Sequence, residues 1–406
     1  MGPKGFSGEP PENRMMDRGK KTMKYRQLGK TGLQVSEIGL GSEAFVNQGE
    51  AFALELIDTA VELGINYFDC YNSEPYVRSY LGKGMEGRRE KFIVQGQIGS
   101  AWIDGQYQRT RNMDLVKEAW EDLLTRFRTD YIDVGMIHYV DEQKDFDAIF
   151  QGPFFPFVLD LKREGKVKHI GLGTHNPKIA LQAVKTGLVE VVMLSINPAY
   201  DILPSNEDIN VMFEKSTYES QSVLARIDPE REALYRLCEE KGVALTVMKP
   251  FAGGALLDEG ESPFGVAMTV PQCLHYCLTR PAVASVLAGA RNVKELKEAA
   301  AYCELPEEEK EYATLLSSAP AHRFQDRCMY CGHCAPCTVG IDIATVNKFT
   351  DLCEAQGFVP DTVRDHYRVL EAKAGDCVGC GACETRCPFG VKIVEHMAKA
   401  KTWFGQ

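Results

Sequence analysis

The chain has 406 residues, 44 % hydrophobic and 25 % charged, with a net charge of −11. That length allows one large domain and a small one, and the composition is that of an ordinary globular protein. The acidic balance argues against nucleic acid or an anionic membrane surface as a partner.

No apolar run approaches the roughly 18 residues of a membrane span. Residues 1–23 are polar, with no apolar stretch, and read as a disordered N-terminal extension rather than a secretory signal. From Val35 short β-branched runs alternate with helical periodicity, the pattern of a parallel α/β fold. Residues 37–41 form a first strand ending in a glycine turn. Phe52, Leu56, Ala60 and Leu63 then share one helical face, stopped at Gly64. Further strands are predicted at 66–69, 92–98, 131–137, 167–172, 190–194, 243–248 and 283–288. Helices lie between them, one carrying Leu115, Ala119, Leu123 and Phe127, others over 154–164, 177–186 and 270–279. Asp228-Pro229 caps one more. Residues 197–227 are a long irregular stretch, and loops of that length tend to be functional. Eight strands and eight helices predict an α/β fold, a (β/α)8 TIM barrel over residues 24–317, with its active site at the C-terminal strand ends. A doubly wound sheet is the alternative, but no Rossmann glycine fingerprint follows the first strand.

Beyond about residue 318 the pattern changes. Cys328-x2-Cys331-x2-Cys334-x2-Cys337 is followed by Cys377-x2-Cys380-x2-Cys383-x3-Cys387-Pro388, with helical runs at 343–353, 361–371 and 391–400. Two such runs suit two 4Fe–4S clusters, so residues 318–406 read as a small, mostly helical ferredoxin-like domain. Three cysteines at three-residue steps wrap one cluster and the fourth ligates the other. That pairs Cys328, Cys331 and Cys334 with Cys387, and Cys377, Cys380 and Cys383 with Cys337. The first run departs from the bacterial pattern in its last gap and in Thr338, where Pro is usual. Structural zinc sites are the alternative, but zinc usually separates its ligand pairs by a dozen or more residues. The other six cysteines are scattered, and Cys273 and Cys277 read as core packing. Unpaired thiols and clusters both predict a reducing, cytoplasmic compartment.

Several stretches carry a family likeness: Tyr25-Arg-Gln-Leu-Gly-Lys-Thr-Gly32, Asn66-Tyr-Phe-Asp69, Leu81-Gly-Lys83, Asp130-Tyr-Ile-Asp133 through His138, Lys166-x3-Ile170-Gly171, Met248-Lys-Pro250 and Val286 to Asn292. With them the chain resembles the aldo-keto reductases, in particular the bacterial branch with a C-terminal ferredoxin-like domain. The resemblance implies a tyrosine that protonates a carbonyl oxygen, a lysine and an aspartate that tune it, and a histidine that orients the substrate. Asp69 and His138 match the aspartate and the histidine. The tyrosine position falls on Glu74 and the lysine position on Gln97, which carries no charge to tune a neighbouring acid. Glu74 or the nearby Tyr76 is then the candidate acid.

On the nucleotide side, the resemblance implies that Gly289, Arg291 and Asn292 cradle a 2′-phosphate and that Glu298 contacts adenine. Thr174 and His175 stand where the family has a Ser-Asn pair for the carboxamide, Met193 replaces a glutamine, and Lys249 follows the seventh strand. NADP(H) is the implied organic cofactor, with a flavin or none as alternatives.

The function expected is that of an iron–sulfur oxidoreductase converting a small carbonyl or alcohol-like substrate. Its clusters would exchange electrons with ferredoxin or another carrier. The alternative is a degenerate barrel serving as an electron-transfer or partner-docking subunit.

Overall fold

The computed structural model describes residues 23–405. The extension expected over 1–23 therefore lies, apart from Met23, outside the described residues. Eight parallel strands close into a barrel: β1 (Ile38–Gly41), β2 (Tyr67–Cys70), β3 (Ile93–Ile98), β4 (Ile132–Ile137), β5 (Val167–Thr174), β6 (Val191–Ser195), β7 (Ala244–Met248) and β8 (Val283–Leu287). Each pairs with its neighbours in sequence, and β8 returns to β1. The strands are apolar runs because a parallel barrel buries both of its faces. One face fills the barrel with Val134, Met136, Val191, Ala244 and their neighbours, and the other packs outward under the helices. The helix Met113–Phe127 shows the matching stripe: it buries Val116, Trp120, Leu123 and Phe127, and the Asn112 side chain accepts from the Asp114 and Leu115 amides at its start.

The eight strands lie within two residues of the predicted bounds. Two hairpins, 25–27 with 34–36 and 100–103 with 106–109, and the helix Gln143–Gln151 were not anticipated. The first hairpin braces the barrel floor, where Arg26 Nη1 donates to the carbonyls of Leu278 and Val283 at 2.7 and 3.1 Å.

Beyond the barrel stand the helices Ile343–Gln356, Asp361–Arg368 and Ile393–Phe404, with the cysteine runs in the turns around them. This part is anchored on the helix Pro229–Lys241, where Arg327 pairs with Glu232 at 2.6 Å and Lys348 with Glu239 at 3.0 Å. Deeper in, buried Arg280 donates to the Met329 carbonyl, and Tyr312 Oη donates to the same oxygen at 3.1 Å. The 197–227 stretch carries two short α-helices and a 3-10 helix, and its Leu224–Ala225 pairs in parallel with Arg323–Phe324. It thus ties the barrel mouth to the chain entering the cysteine runs.

Helix Pro75–Met85 crosses helix Met113–Phe127 at Gly82, where an added Cβ would stand 1.9 Å from the Arg126 carbonyl oxygen. Gly82→Ala is expected to lower the free energy of unfolding by about 1–3 kcal/mol, the usual cost of overpacking. Urea denaturation measures it, and an unchanged midpoint would contradict this account of the crossing.

Candidate active site

Alternate residues of a strand face the same way, so Tyr67 and Asp69 on β2 and Gln95 and Gln97 on β3 point together into the barrel. Asp69 is buried, and its Oδ1 accepts from Gln95 Nε2 at 2.6 Å and from Gln97 Nε2 at 2.9 Å. Burial pushes its carboxyl up to about 6, against the downward pull of these two amides. Gln95 is oriented in turn, since its Oε1 accepts from Tyr67 Oη at 2.5 Å and Thr246 Oγ1 at 3.3 Å. Gln97 spends its amide hydrogen on Asp69, so its Oε1 faces His138 Nδ1 at 3.1 Å. That contact requires the proton on Nδ1 and leaves Nε2 as an acceptor. Burial, with Arg111 next in weight, holds the imidazole down to about 3 from its ordinary 6.5, so His138 is neutral at physiological pH.

The acceptor at Nε2 is met by Tyr107 Oη. Tyr107 sits on the second strand of the hairpin after β3, opposite Trp102, across the turn Asp104-Gly105. Burial pushes its phenol up to about 12, against a downward pull from Arg109 and Arg111. Sequence reasoning missed this residue. Its signal was the Asp-Gly pair, whose φ angles of +53° and +74° belong to a tight hairpin turn.

Above this group opens a cavity of about 1070 Å³. Asp69, Gln97, Tyr107, His138, His175 and Lys249 line its base, and Gly289, Arg291, Glu295 and Glu298 line its far side. Four expected positions stand outside that lining or behind it. Glu74 and Tyr76 bond to each other at 3.2 Å beside the start of helix Pro75–Met85, and Tyr76 Oη also accepts from the Asn47 amide. Thr174 is turned back to Asp141, donating to Oδ1 at 2.8 Å, while His175 Nδ1 meets Oδ2 of the same carboxylate at 2.9 Å. Asn292 caps helix Val293–Ala301 through the Glu295 amide. Lys249 holds a left-handed backbone (φ +56°), and burial lowers its ammonium below the ordinary lysine value. Arg291 is 83 % exposed and paired only loosely, at 3.4 Å, with Glu295.

The cysteine runs interleave. Cys337, the last of the first run, lines one recess together with Cys377, Cys380 and Cys383 of the second. Burial, with Cys387 among the groups that add to it, pushes the Cys331 and Cys334 thiols up to about 11 and about 12. Asn347 Nδ2 donates to Cys328 Sγ at 3.4 Å, and the amides of Tyr330, His333 and Ala382 donate to Cys328, Cys331 and Cys380. Tyr330 (φ +53°), Gly332 (+77°), Gly379 (+68°) and Gly381 (+71°) turn the chain between these sulfurs. Arg386 of the second run fixes the first by donating to the carbonyls of Cys334 and Pro336, both at 2.7 Å. All fourteen cysteines are unpaired. Among the described residues, no three Cys, His, Asp or Glu side chains form a group that could hold a single metal ion, and no helix is long and apolar enough to cross a membrane.

A closed eight-stranded barrel with its polar group at the C-terminal strand ends is the architecture of a (β/α)8 enzyme. Residues 37–272 match the family profile described as "Aldo/keto reductase family", and the chain belongs to that family and is an oxidoreductase. Among similar proteins, the oxidoreductase YqkF of Bacillus subtilis is 27 % identical over 287 residues, 68 % of this chain and 90 % of that one. L-galactose dehydrogenase of Arabidopsis thaliana is 26 % identical over 309 residues, 68 % of this chain and 86 % of its own. A solved structure, the aldo-keto reductase AKR11C1 of Bacillus halodurans in its holo form, matches with a TM-score of 0.55 at 25 % identity, over 71 % of this chain and 94 % of that one.

The buried carboxylate gives a pH test. A folded-state value raised from 3.8 to about 6 means that wild-type stability is undiminished by this group below the unfolded value and falls as pH rises through the folded one. Asp69→Asn escapes that loss. Its stability relative to wild type should rise between about pH 4 and pH 7 by on the order of 3 kcal/mol, read by denaturant unfolding across that range. A pH-independent difference would contradict the assignment.

Proposed function

We propose that the chain is an iron–sulfur oxidoreductase of the aldo-keto reductase type. It converts a small carbonyl or alcohol-like substrate at the barrel mouth and exchanges electrons with a carrier such as ferredoxin through two 4Fe–4S clusters in its C-terminal part. The observation that carries the reading is the interleaving of the two cysteine runs, which joins Cys337 to Cys377, Cys380 and Cys383 in one recess.

The donor set fits the clusters. Each group offers four thiols, and several sulfurs accept hydrogen bonds from backbone amides, contacts that tune such clusters. A cube takes one thiolate per iron, so its ligand sulfurs stand further apart than those around a single ion. This accords with the lack, among the described residues, of a three-residue group tight enough for one ion. Cys328, Cys331, Cys334 and Cys387 would hold one cluster, and Cys337, Cys377, Cys380 and Cys383 the other; bound there, they would supply single-electron acceptance and release.

The cavity fits NADP(H). Its volume of about 1070 Å³ exceeds the range of roughly 300–1,000 Å³ of ordinary small-molecule sites, and it runs from His138 to Gly289, Arg291 and Glu298. Arg291 is exposed enough to turn from Glu295 toward a phosphate. The nicotinamide would supply a hydride, a two-electron equivalent. The chain's own residues do the rest. His138, held neutral with Nε2 as an acceptor, holds the Tyr107 hydroxyl at the cavity, and Gln97 fixes the His138 tautomer. Asp69 fixes Gln97. His175, clamped by Asp141, and Lys249 border the space in which ring and substrate would meet.

Anaerobically reconstituted protein should contain about eight iron atoms per chain, and Cys337→Ala about four, by iron and sulfide analysis. Cys353→Ala, which changes a cysteine outside both groups, should leave the iron unchanged. Zinc in place of iron, or an iron content indifferent to Cys337, would overturn the cluster reading.

A further inference from the structure

The barrel places no tyrosine from the β2 loop in the cavity with Asp69 and His138 except Tyr71, and the position expected to carry the acid is Glu74, outside the lining. We propose that Tyr107, delivered from the hairpin after β3, is the proton donor to the substrate oxygen. This inference rests on the carbonyl-reduction reading above.

Tyr107 lines the cavity, and its Oη touches the Nε2 of His138. The hydrogen-bond directions are set from the barrel interior outward. Asp69 can only accept, so Gln97 donates to it; Gln97 Oε1 then requires a proton on His138 Nδ1, and Nε2 is left to accept from the phenol. The phenol is thereby held protonated at the cavity, and a carbonyl oxygen that takes the place of Nε2 as its acceptor would receive its hydrogen bond. Tyr71 meets Tyr107 edge to face, with ring centroids 5.7 Å apart, and limits how the phenol can swing. Arg109 and Arg111, which follow it along the chain, are the cations that favour a phenolate once the proton has left. In the hairpin they stand in for the lysine whose place is taken by Gln97.

The step balances. A bound dihydronicotinamide would supply the hydride of the new C–H bond at the carbonyl carbon, the π pair would move to oxygen, and the Tyr107 O–H would break to give the alcohol. An alkoxide is a stronger base than a phenolate, so this transfer runs downhill. The ring of Tyr107 is 38 % exposed, and the phenolate takes its proton back from solvent.

The test uses cluster-loaded enzyme, NADPH and 4-nitrobenzaldehyde. Tyr107→Phe should lower kcat by about 100-fold or more while KM stays within about threefold. NADPH binding, followed by fluorescence, should be as in wild type. Tyr76→Phe should keep kcat within about threefold, because it alters a group outside the cavity. Placing 3-fluorotyrosine at position 107, with the same shape and a more acidic hydroxyl, should restore turnover. A Tyr107→Phe enzyme turning over at the wild-type rate would overturn the assignment and leave the carbonyl-reduction reading standing. A wild-type enzyme that binds NADPH yet reduces no aldehyde with NADPH or reduced methyl viologen would overturn both.

Discussion

The Asp69 carboxylate, buried and held by two amides, is the constraint from which the barrel mouth is built. Burial alone would drive it to the neutral acid; the hydrogens of Gln95 and Gln97 hold the charged form within reach at about 6. Because a carboxylate only accepts, it orients Gln97, Gln97 selects the His138 tautomer, and the tautomer decides that Tyr107 donates. One charge therefore sets three hydrogen-bond directions in series. A lysine in place of Gln97 would donate at one end but could not accept from His138 at the other. The amide is a different device from the cation for which the family resemblance allows.

Positive charge reaches this site by another route. Arg109 and Arg111 come with the 100–109 hairpin, and both are anchored: Arg111 to Asp145 at 2.7 Å and to the His138 carbonyl, Arg109 to Glu142 at 3.1 Å. The acidic helix Gln143–Gln151 and the residue preceding it thus hold the hairpin over the cavity. On the other side of the barrel, the C-terminal part is fixed less by its two partly exposed ion pairs, which contribute little, than by Arg280. That guanidinium is buried against Tyr276 and Tyr312 and reaches the Met329 carbonyl beside Cys328. Leaving it unpaired would be costly, so the cysteine runs and the barrel hold each other in place.

Most of the barrel could be read from the sequence because its strands are short apolar runs with a period that matches burial. Asp69 and His138 were legible because they end such runs, and Gln97 because the family resemblance puts a lysine at its position. Glu74 and Tyr76 satisfied the spacing of a catalytic loop but bond to each other at the start of a helix, a local outcome that spacing does not encode. Tyr107 was hidden for the opposite reason. Its hairpin is polar and exposed, Gln106 to Arg109, so no hydrophobic pattern marks it, and the contact with His138 joins residues 31 apart in sequence. Asn292 shows a third case, in which a residue assigned to a phosphate is occupied as a helix cap.

The account joins a hydride site in the barrel to single-electron sites in the tail, and the most direct test of that union is anaerobic reduction of the cluster-loaded protein by NADPH. Absorbance at about 400 nm and EPR report the clusters. The account predicts that NADPH bleaches the absorbance and produces the signal of reduced clusters. Full bleaching by dithionite with none by NADPH would contradict it, leaving a barrel and a tail that share a chain without sharing electrons from nicotinamide.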